Sequence, residues 1–197
     1  VTLVAGDSVA LGAMVDDGET LAAALRARDP ARRFVNIGVG GADAWDIRCA
    51  LERAERDHAE ALDSLVYVFC ENDLDPEERM GTPDKVVAFL QEFATRNELH
   101  RVVVVYAPYL YNIVPELTRI RGERGGRFPD HAEAKAALAK LVAEAGFGWV
   151  DIGALALGEA RRAGTRLAAF ALFADLVHLS PAGAALLGRA VQERLTR

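Results

Sequence analysis

The stretch Arg101–Ala107, RVVVVYA, decides the fold class. Four consecutive valines followed by a tyrosine suit an extended backbone, where β-branched and aromatic side chains pack on a pleated surface. Working outward, Ser64–Phe69 (SLVYVF) reads as a second buried strand, and Val1–Ala5, Arg33–Ile37 and Trp149–Ile152 as shorter ones. Longer amphipathic segments separate them. Thr20–Arg28 is a helix ended by Asp29-Pro30. Asp43 to about Asp57 is helical, with Trp45/Cys49 and Ile47/Leu51 recurring at four-residue spacing. Thr82–Asn97 starts with Thr82 as N-cap and Pro83 in the first position. Asp130–Ala145 is closed by Gly146, and a final helix from Pro181 to about Leu195 is capped by Ser180. Pro108–Pro129 reads as irregular.

Strand–helix alternation of this kind predicts an α/β chain, a three-layer α/β/α sandwich around a five-stranded parallel sheet. The 197 residues fit a single domain, 1–197. A net charge of -6 gives no sign of a nucleic-acid partner. The longest apolar stretch, near Leu167–Ala174, is too short to span a bilayer and ends at Asp175. The chain opens without a charged n-region and apolar h-region, so the expectation is a soluble chain without a signal peptide, either cytoplasmic or a domain of a longer protein. Cys49 and Cys70 form no CxxC and sit in no metal-ligand spacing; the expectation is two free thiols packed as small hydrophobes, and no metal.

Parallel sheets place their sites at the carboxyl ends of the strands. There the sequence carries Gly6-Asp7-Ser8, then Asn36-Ile37-Gly38-Val39-Gly40-Gly41, then Cys70-Glu71-Asn72-Asp73. A serine becomes a nucleophile only beside a base, and the base needs an orienting partner. Of the four histidines, His58 lies in a charged helix, His100 in a polar turn, and His131 near a helix start. His178 differs: Asp175 stands three residues ahead of it on a loop and can curl back to accept the imidazole Nδ1–H, leaving Nε2 outward. Taken alone, Ser8 also reads as a turn residue or N-cap, and Asp7 as a turn former.

Taken together, these segments resemble the SGNH/GDSL hydrolases across essentially the whole chain. Gly6-Asp7-Ser8 matches the GDS block, Asn36 to Gly41 the second block, Glu71-Asn72-Asp73 the third (GxND), and Asp175-Leu176-Val177-His178 the last. Gly6–Glu19 further resembles a bacterial subgroup with the pattern GDS-x-x-x-G-x-x-V-x-D-x-E. The resemblance implies Ser8 as nucleophile, His178 as base and Asp175 as its orienting partner. It implies an oxyanion hole made by the Ser8 N–H, the Gly41 N–H and the Asn72 amide, with Asp7 and Asp73 fixing turns. Two positions depart from the family pattern. Val9 follows Ser8 in place of leucine, and Cys70 replaces the first glycine of GxND, which bears on how the loop carrying Asn72 is placed.

The segment after the fourth strand opens apolar and aromatic, Tyr109 to Val114. Tyr109 and Tyr111 are therefore candidates for an acyl or leaving-group pocket, or else for a short helix packed on the core. Beyond it, Arg119, Arg121, Arg124 and Arg127 among glycines suit a flexible solvated tip, or a lid attracting an anionic substrate. The expected function is a serine esterase acting on small-molecule, glycan or lipid esters through an acyl-enzyme, with no cofactor. Rivals are an O-acyltransferase with the same triad, a thioesterase, and a catalytically silent binding domain. Acyl length, natural acceptor and oligomeric state leave no trace in the sequence.

Overall fold

The computed structural model describes residues 1–58, 62–73, 80–114 and 131–197, with Asn72 and Tyr111 described by their backbone alone. Its strands are β1 (Thr2–Gly6), β2 (Phe34–Asn36), β3 (Ser64–Cys70), β4 (Arg101–Ala107) and β5 (Gly148–Asp151). They form one sheet in the order β2-β1-β3-β4-β5, every neighbouring pair parallel. Register places Gly6 of β1 opposite Val68 of β3, and Cys70 of β3 opposite Ala107 of β4. The helices are α1 (Ser8–Leu11), α2 (Leu21–Arg28), α3 (Ala44–His58), α4 (Pro83–Arg96), α5 (Leu110–Ile113), α6 (Ala132–Glu144), α7 (Ile152–Ala163), α8 (Leu167–Phe170) and α9 (Pro181–Leu195).

Alternation along the strands divides the core into two layers. Val66, Val68 and Cys70 of β3, with Val103 and Val105 of β4, face Leu21 and Leu25 of α2, Ala156 of α7 and Leu187 and Val191 of α9. Leu65, Tyr67 and Phe69, with Val102, Val104 and Tyr106, face Ile47 and Leu51 of α3, Leu90 and Phe93 of α4 and Leu138 of α6. The α/β/α sandwich is thus the expected one, and β3 and β4 are buried on both faces because helices cover both.

Boundaries follow the local chemistry. Thr20 accepts the Ala23 N–H (3.2 Å), Asp151 the Ala154 N–H (3.2 Å) and Ser180 the Gly183 N–H (3.2 Å), each closing a helix start. Thr82 holds the N-cap position of α4, but its hydroxyl makes no capping bond to a backbone N–H of the helix.

Three expectations need correction. The fifth strand ends at Asp151, because that side chain caps α7 and turns Ile152 into its first residue. At the start of Pro108–Pro129 the irregular reading gives way to the other one, a short helix packed on the core: α5 forms there, with Leu110, Ile113 and Val114 in the core. Cys49 is not packed but exposed on α3, whose buried face is Ile47, Leu51 and Ala54; Cys70 alone is a buried thiol. A further element that the sequence does not mark is the helical turn of Ser8 to Leu11 directly after β1.

Candidate active site

Ser8 stands where β1 stops. Gly6, the last residue of β1, has φ +152°, and a Cβ there would lie 2.6 Å from the Val68 carbonyl oxygen of the neighbouring strand. Only glycine lets β1 and β3 remain paired to the point where the chain turns. Asp7 then caps α1: its Oδ1 accepts the Val9 N–H at 2.9 Å, and the side chain is buried. Its other oxygen lies 3.5 Å from Ser8 Oγ. Ser8 is therefore the first residue of a helical turn, and its own N–H has no acceptor within that turn.

His178 and Asp175 come from the far end of the chain, on the loop ahead of α9. Asp175 Oδ1 accepts the N–H groups of Val177 and His178, both at 2.7 Å, which folds the DxxH segment into a tight turn. Asp175 Oδ2 meets His178 Nδ1 at 2.8 Å, and His178 Nε2 meets Ser8 Oγ at 3.0 Å. Burial pushes the Asp175 carboxyl up, but the backbone and ring N–H of His178 and the Val177 N–H outweigh it, so it sits below the usual carboxylate range. Ser8, His178 and Asp175 are thus joined across 170 residues of sequence in one relay. With Nδ1 donating to the carboxylate, Nε2 is left as acceptor of the serine proton. His58 and His100 end or precede elements at the amino edge of the sheet, away from this relay; His131 precedes α6.

The second block lies alongside. Val39 N–H donates to the Gly6 carbonyl at 3.0 Å, so the loop after β2 follows the exit of β1. Asn36 ties that loop to α1, its Nδ2 donating to the carbonyls of Ala10 (3.0 Å) and Leu11 (3.2 Å) while its Oδ1 accepts the Gly38 N–H (3.0 Å). Gly41 follows with φ +73°, exposed, with open space where a Cβ would be. In the third block, Cys70 completes β3 and its N–H donates to Asp73 Oδ2 at 3.0 Å, so Asp73 shapes the turn that carries Asn72. Cys70 keeps a strand conformation and its side chain joins the core beside Ala107, so a residue larger than glycine fits this position without a left-handed backbone. The side chain of Asn72 lies outside the described residues.

Of the pocket candidates, Tyr109 is 8 % exposed and packs at the head of α5; burial first, then the nearby Cys70 and Glu71, raises its phenol well above the ordinary value. The side chain of Tyr111, and the arginines from Arg119 to Arg127, lie outside the described residues. A crevice of about 10 Å³ touches Ser8 and His178, far too small for a substrate. A cavity of about 230 Å³ opens instead at the carboxyl ends of β4 and β5, lined by Glu71, Tyr106, Asn112, Lys135 and Asp151 among others. Lys135 and Asp151 are ion-paired at 2.5 Å there. None of its lining residues belongs to the relay, so its size does not make it the reaction site.

Glu71 is a further residue of this region, to which the sequence alone assigns no role. It is 3 % exposed, and three groups donate to it: Tyr106 Oη (2.6 Å), the Tyr109 N–H (2.8 Å) and Asn112 Nδ2 (2.6 Å). The available signal was a carboxylate directly following seven strand residues that are all buried. Among the described residues no group of histidines, cysteines and carboxylates is arranged to hold a metal, and no helix is long and apolar enough to cross a membrane.

No family model matches this sequence, and no curated protein does. Solved structures do match. A member of the lipolytic protein G-D-S-L family from Veillonella parvula superposes with a TM-score of 0.69 at 18 % identity, covering 100 % of this chain and 98 % of its own. A carbohydrate acetylesterase family member from Sinorhizobium meliloti gives 0.66 at 19 % identity, over 98 % and 96 %. An acetyl-xylooligosaccharide esterase from Geobacillus gives 0.64 at 18 % identity, over 100 % and 94 %. Each likeness runs the full length of both chains at low identity. The fold of this chain, from β1 to the closing helix, is that of the G-D-S-L lipolytic proteins.

Proposed function

We propose that this chain is a serine esterase of the SGNH/GDSL type, hydrolysing carboxylic esters through an acyl-enzyme on Ser8. The observation that carries the proposal is the relay from Ser8 Oγ to His178 Nε2 (3.0 Å) and from His178 Nδ1 to Asp175 Oδ2 (2.8 Å). That is the geometry a nucleophile, base and orienting carboxylate require.

In the first half-reaction Ser8 Oγ attacks the ester carbonyl carbon and His178 Nε2 takes the hydroxyl proton. The carbonyl oxygen becomes an oxyanion, met by the Ser8 and Gly41 N–H groups and the Asn72 amide. The bond to the alkoxy oxygen then breaks, and His178 returns the proton to the departing alcohol. In the second half-reaction His178 takes a proton from water, whose oxygen attacks the acyl carbon. Ser8 leaves with the proton from His178 as the carboxylic acid is released. Asp175 stays ionised throughout and stabilises the imidazolium between steps. Each oxyanion donor contributes about 10²–10³ in rate where such donors have been removed singly.

The test is intact-mass labelling with a fluorophosphonate on wild type and Ser8→Ala. One adduct per chain, mapped to the peptide carrying Gly6-Asp7-Ser8 and absent from Ser8→Ala, is the expected result. A folded wild-type protein that takes no adduct would overturn the proposal and favour a silent binding domain. Adding competing alcohols or sugars to the ester assay then separates hydrolysis from acyl transfer.

A further inference from the structure

We propose that Glu71 is a positioning residue, the joint that holds the loop carrying Asn72 and the loop carrying His178 in register with each other; this rests on the esterase proposal above. Glu71 immediately precedes Asn72 in the turn that leaves β3, and Asp73 fixes that turn through the Cys70 N–H. Its carboxylate also reaches across to the exit of β4. Oε1 accepts Tyr106 Oη at 2.6 Å, while Oε2 accepts the Tyr109 N–H at 2.8 Å and Asn112 Nδ2 at 2.6 Å. The last two bonds grip α5 at its N-cap residue and within its single turn.

Helix α5 passes the constraint on. The Leu110 N–H donates to the Leu176 carbonyl at 2.8 Å, and Leu176 lies inside the Asp175–His178 turn, two residues ahead of the base. The path from Glu71 to His178 therefore runs through two backbone segments and three short hydrogen bonds. No contact with substrate is required of Glu71. Burial first, and then the neighbouring Glu71 charge, raises the Tyr106 phenol far above its ordinary value, so Tyr106 remains a donor at any working pH. A carboxylate suits the joint because it accepts several donors at once from different elements.

Geometry makes the test specific. In Glu71→Gln, the amide oxygen can keep the two donors from α5 while its NH₂ donates to Tyr106 Oη, which turns from donor to acceptor. In Glu71→Ala, three donors lose their shared acceptor and α5 is released. The experiment measures kcat and KM on p-nitrophenyl acetate and the rate of fluorophosphonate labelling, with melting temperature followed separately. Expected for Glu71→Ala is a kcat about 10- to 100-fold lower with KM within about twofold, and labelling slowed by the same factor, since small misplacements of reacting groups cost this much. Glu71→Gln should return to within about threefold of wild type on both readouts. A folded Glu71→Ala with wild-type kcat would overturn the proposal, as would a Glu71→Gln as impaired as the alanine variant.

If Glu71→Ala does not fold, Asn112→Ala decides. It cuts one tie to α5 and leaves the carboxylate two donors; it should fold and lose about fivefold in kcat and labelling rate. Wild-type rates there would overturn the proposal. Wild-type protein that takes no label fails the esterase proposal itself. Labelling at equal rates in wild type and Asn112→Ala fails only the joint.

Discussion

Asp175→Asn isolates the part of the relay that chemistry, rather than packing, requires. The wild-type carboxylate does two jobs with two oxygens. Oδ1 holds the Val177 and His178 N–H groups at 2.7 Å, and Oδ2 accepts from the imidazole at 2.8 Å. An asparagine can leave its oxygen on the two backbone groups, so the turn survives. Its NH₂ then faces Nδ1 as a donor, which forces the proton onto Nε2. Nε2–H would donate to Ser8 Oγ across the present 3.0 Å and could no longer accept the hydroxyl proton. The wrong tautomer costs about 10⁴ in kcat where this exchange has been made in a serine protease triad. At about 1.36 kcal/mol per tenfold, that is ~5.5 kcal/mol of transition-state stabilisation. Asp175 is 40 % exposed, so folding stability should change little by comparison. The assay is kcat/KM on p-nitrophenyl acetate together with the labelling rate, on protein whose melting temperature matches wild type. Activity within tenfold of wild type would refute the claim that His178 is oriented through Asp175.

Three more expectations follow from single contacts. Gly6→Ala places a methyl 2.6 Å from the Val68 carbonyl oxygen and 2.9 Å from the Ala10 Cβ, at a φ that alanine disfavours; the cost should be about 3 kcal/mol and a melting point ~6–12 °C lower, and an unchanged melting curve would mean β1 does not meet β3 as described. Glu55 grips Arg96 with both oxygens, at 2.6 and 2.9 Å, and this bond first, against the opposing effect of burial, lowers its carboxyl below the ordinary value. A lowered folded-state value means the stabilisation is complete above the unfolded value, ~4.3, and is lost as pH falls through the folded one. Urea denaturation of wild type and Glu55→Gln should thus differ by about 1 kcal/mol at neutral pH, a partly exposed pair being worth no more, and converge in strong acid; a gap that persists in acid contradicts this. Leu11, one helical turn after Ser8, and Leu176, two residues before His178, are 40 % and 43 % exposed. Replacing both with serine should raise KM about fivefold for p-nitrophenyl hexanoate, the share of a leucine's transfer energy that partial burial would recover, and leave the acetate unchanged; equal effects on both esters would exclude them from acyl binding.

The sheet was legible because strands buried on both faces must be apolar at every position, and RVVVVYA and SLVYVF permit little else. The relay was legible because its three members sit in short segments whose local chemistry is self-contained: a strand-end Gly6-Asp7-Ser8, and an aspartate that can fold back on a histidine three residues later. What escaped was what depends on side chains meeting across the fold. Helix α5 could be read only as one of two alternatives, because its single turn forms where Leu110, Ile113 and Val114 reach the core, not because its four residues favour a helix. Cys49 has the spacing of a buried position on α3 but falls on the exposed side of the stripe set by Ile47 and Leu51. Glu71 was hidden for the same reason: its partners Tyr106, Tyr109 and Asn112 come 35 to 41 residues later, and no local pattern announces them.

That contrast bears on how such a site tolerates change. The residues of the relay stand on a strand exit and on one tight turn, each segment fixed by bonds to its immediate neighbours: Asp7 to the Val9 N–H, Asp175 to the N–H groups of Val177 and His178. Neighbour bonds set the shape of each segment but not the distance between segments. The 3.0 Å from His178 to Ser8 must be set by what lies between the β1 exit and the loop ahead of α9. On one side that is the pairing of β1 with β3, which requires Gly6. On the other it is the chain of contacts from β3 through Glu71 and α5 to Leu176. Substitutions within the short segments should therefore abolish activity outright, whereas substitutions along the connecting path should reduce it by degrees. Cys70 fits this division: it lies on the path at the end of β3, where it contributes core packing and a backbone N–H to Asp73, and stands in place of a glycine outside the relay.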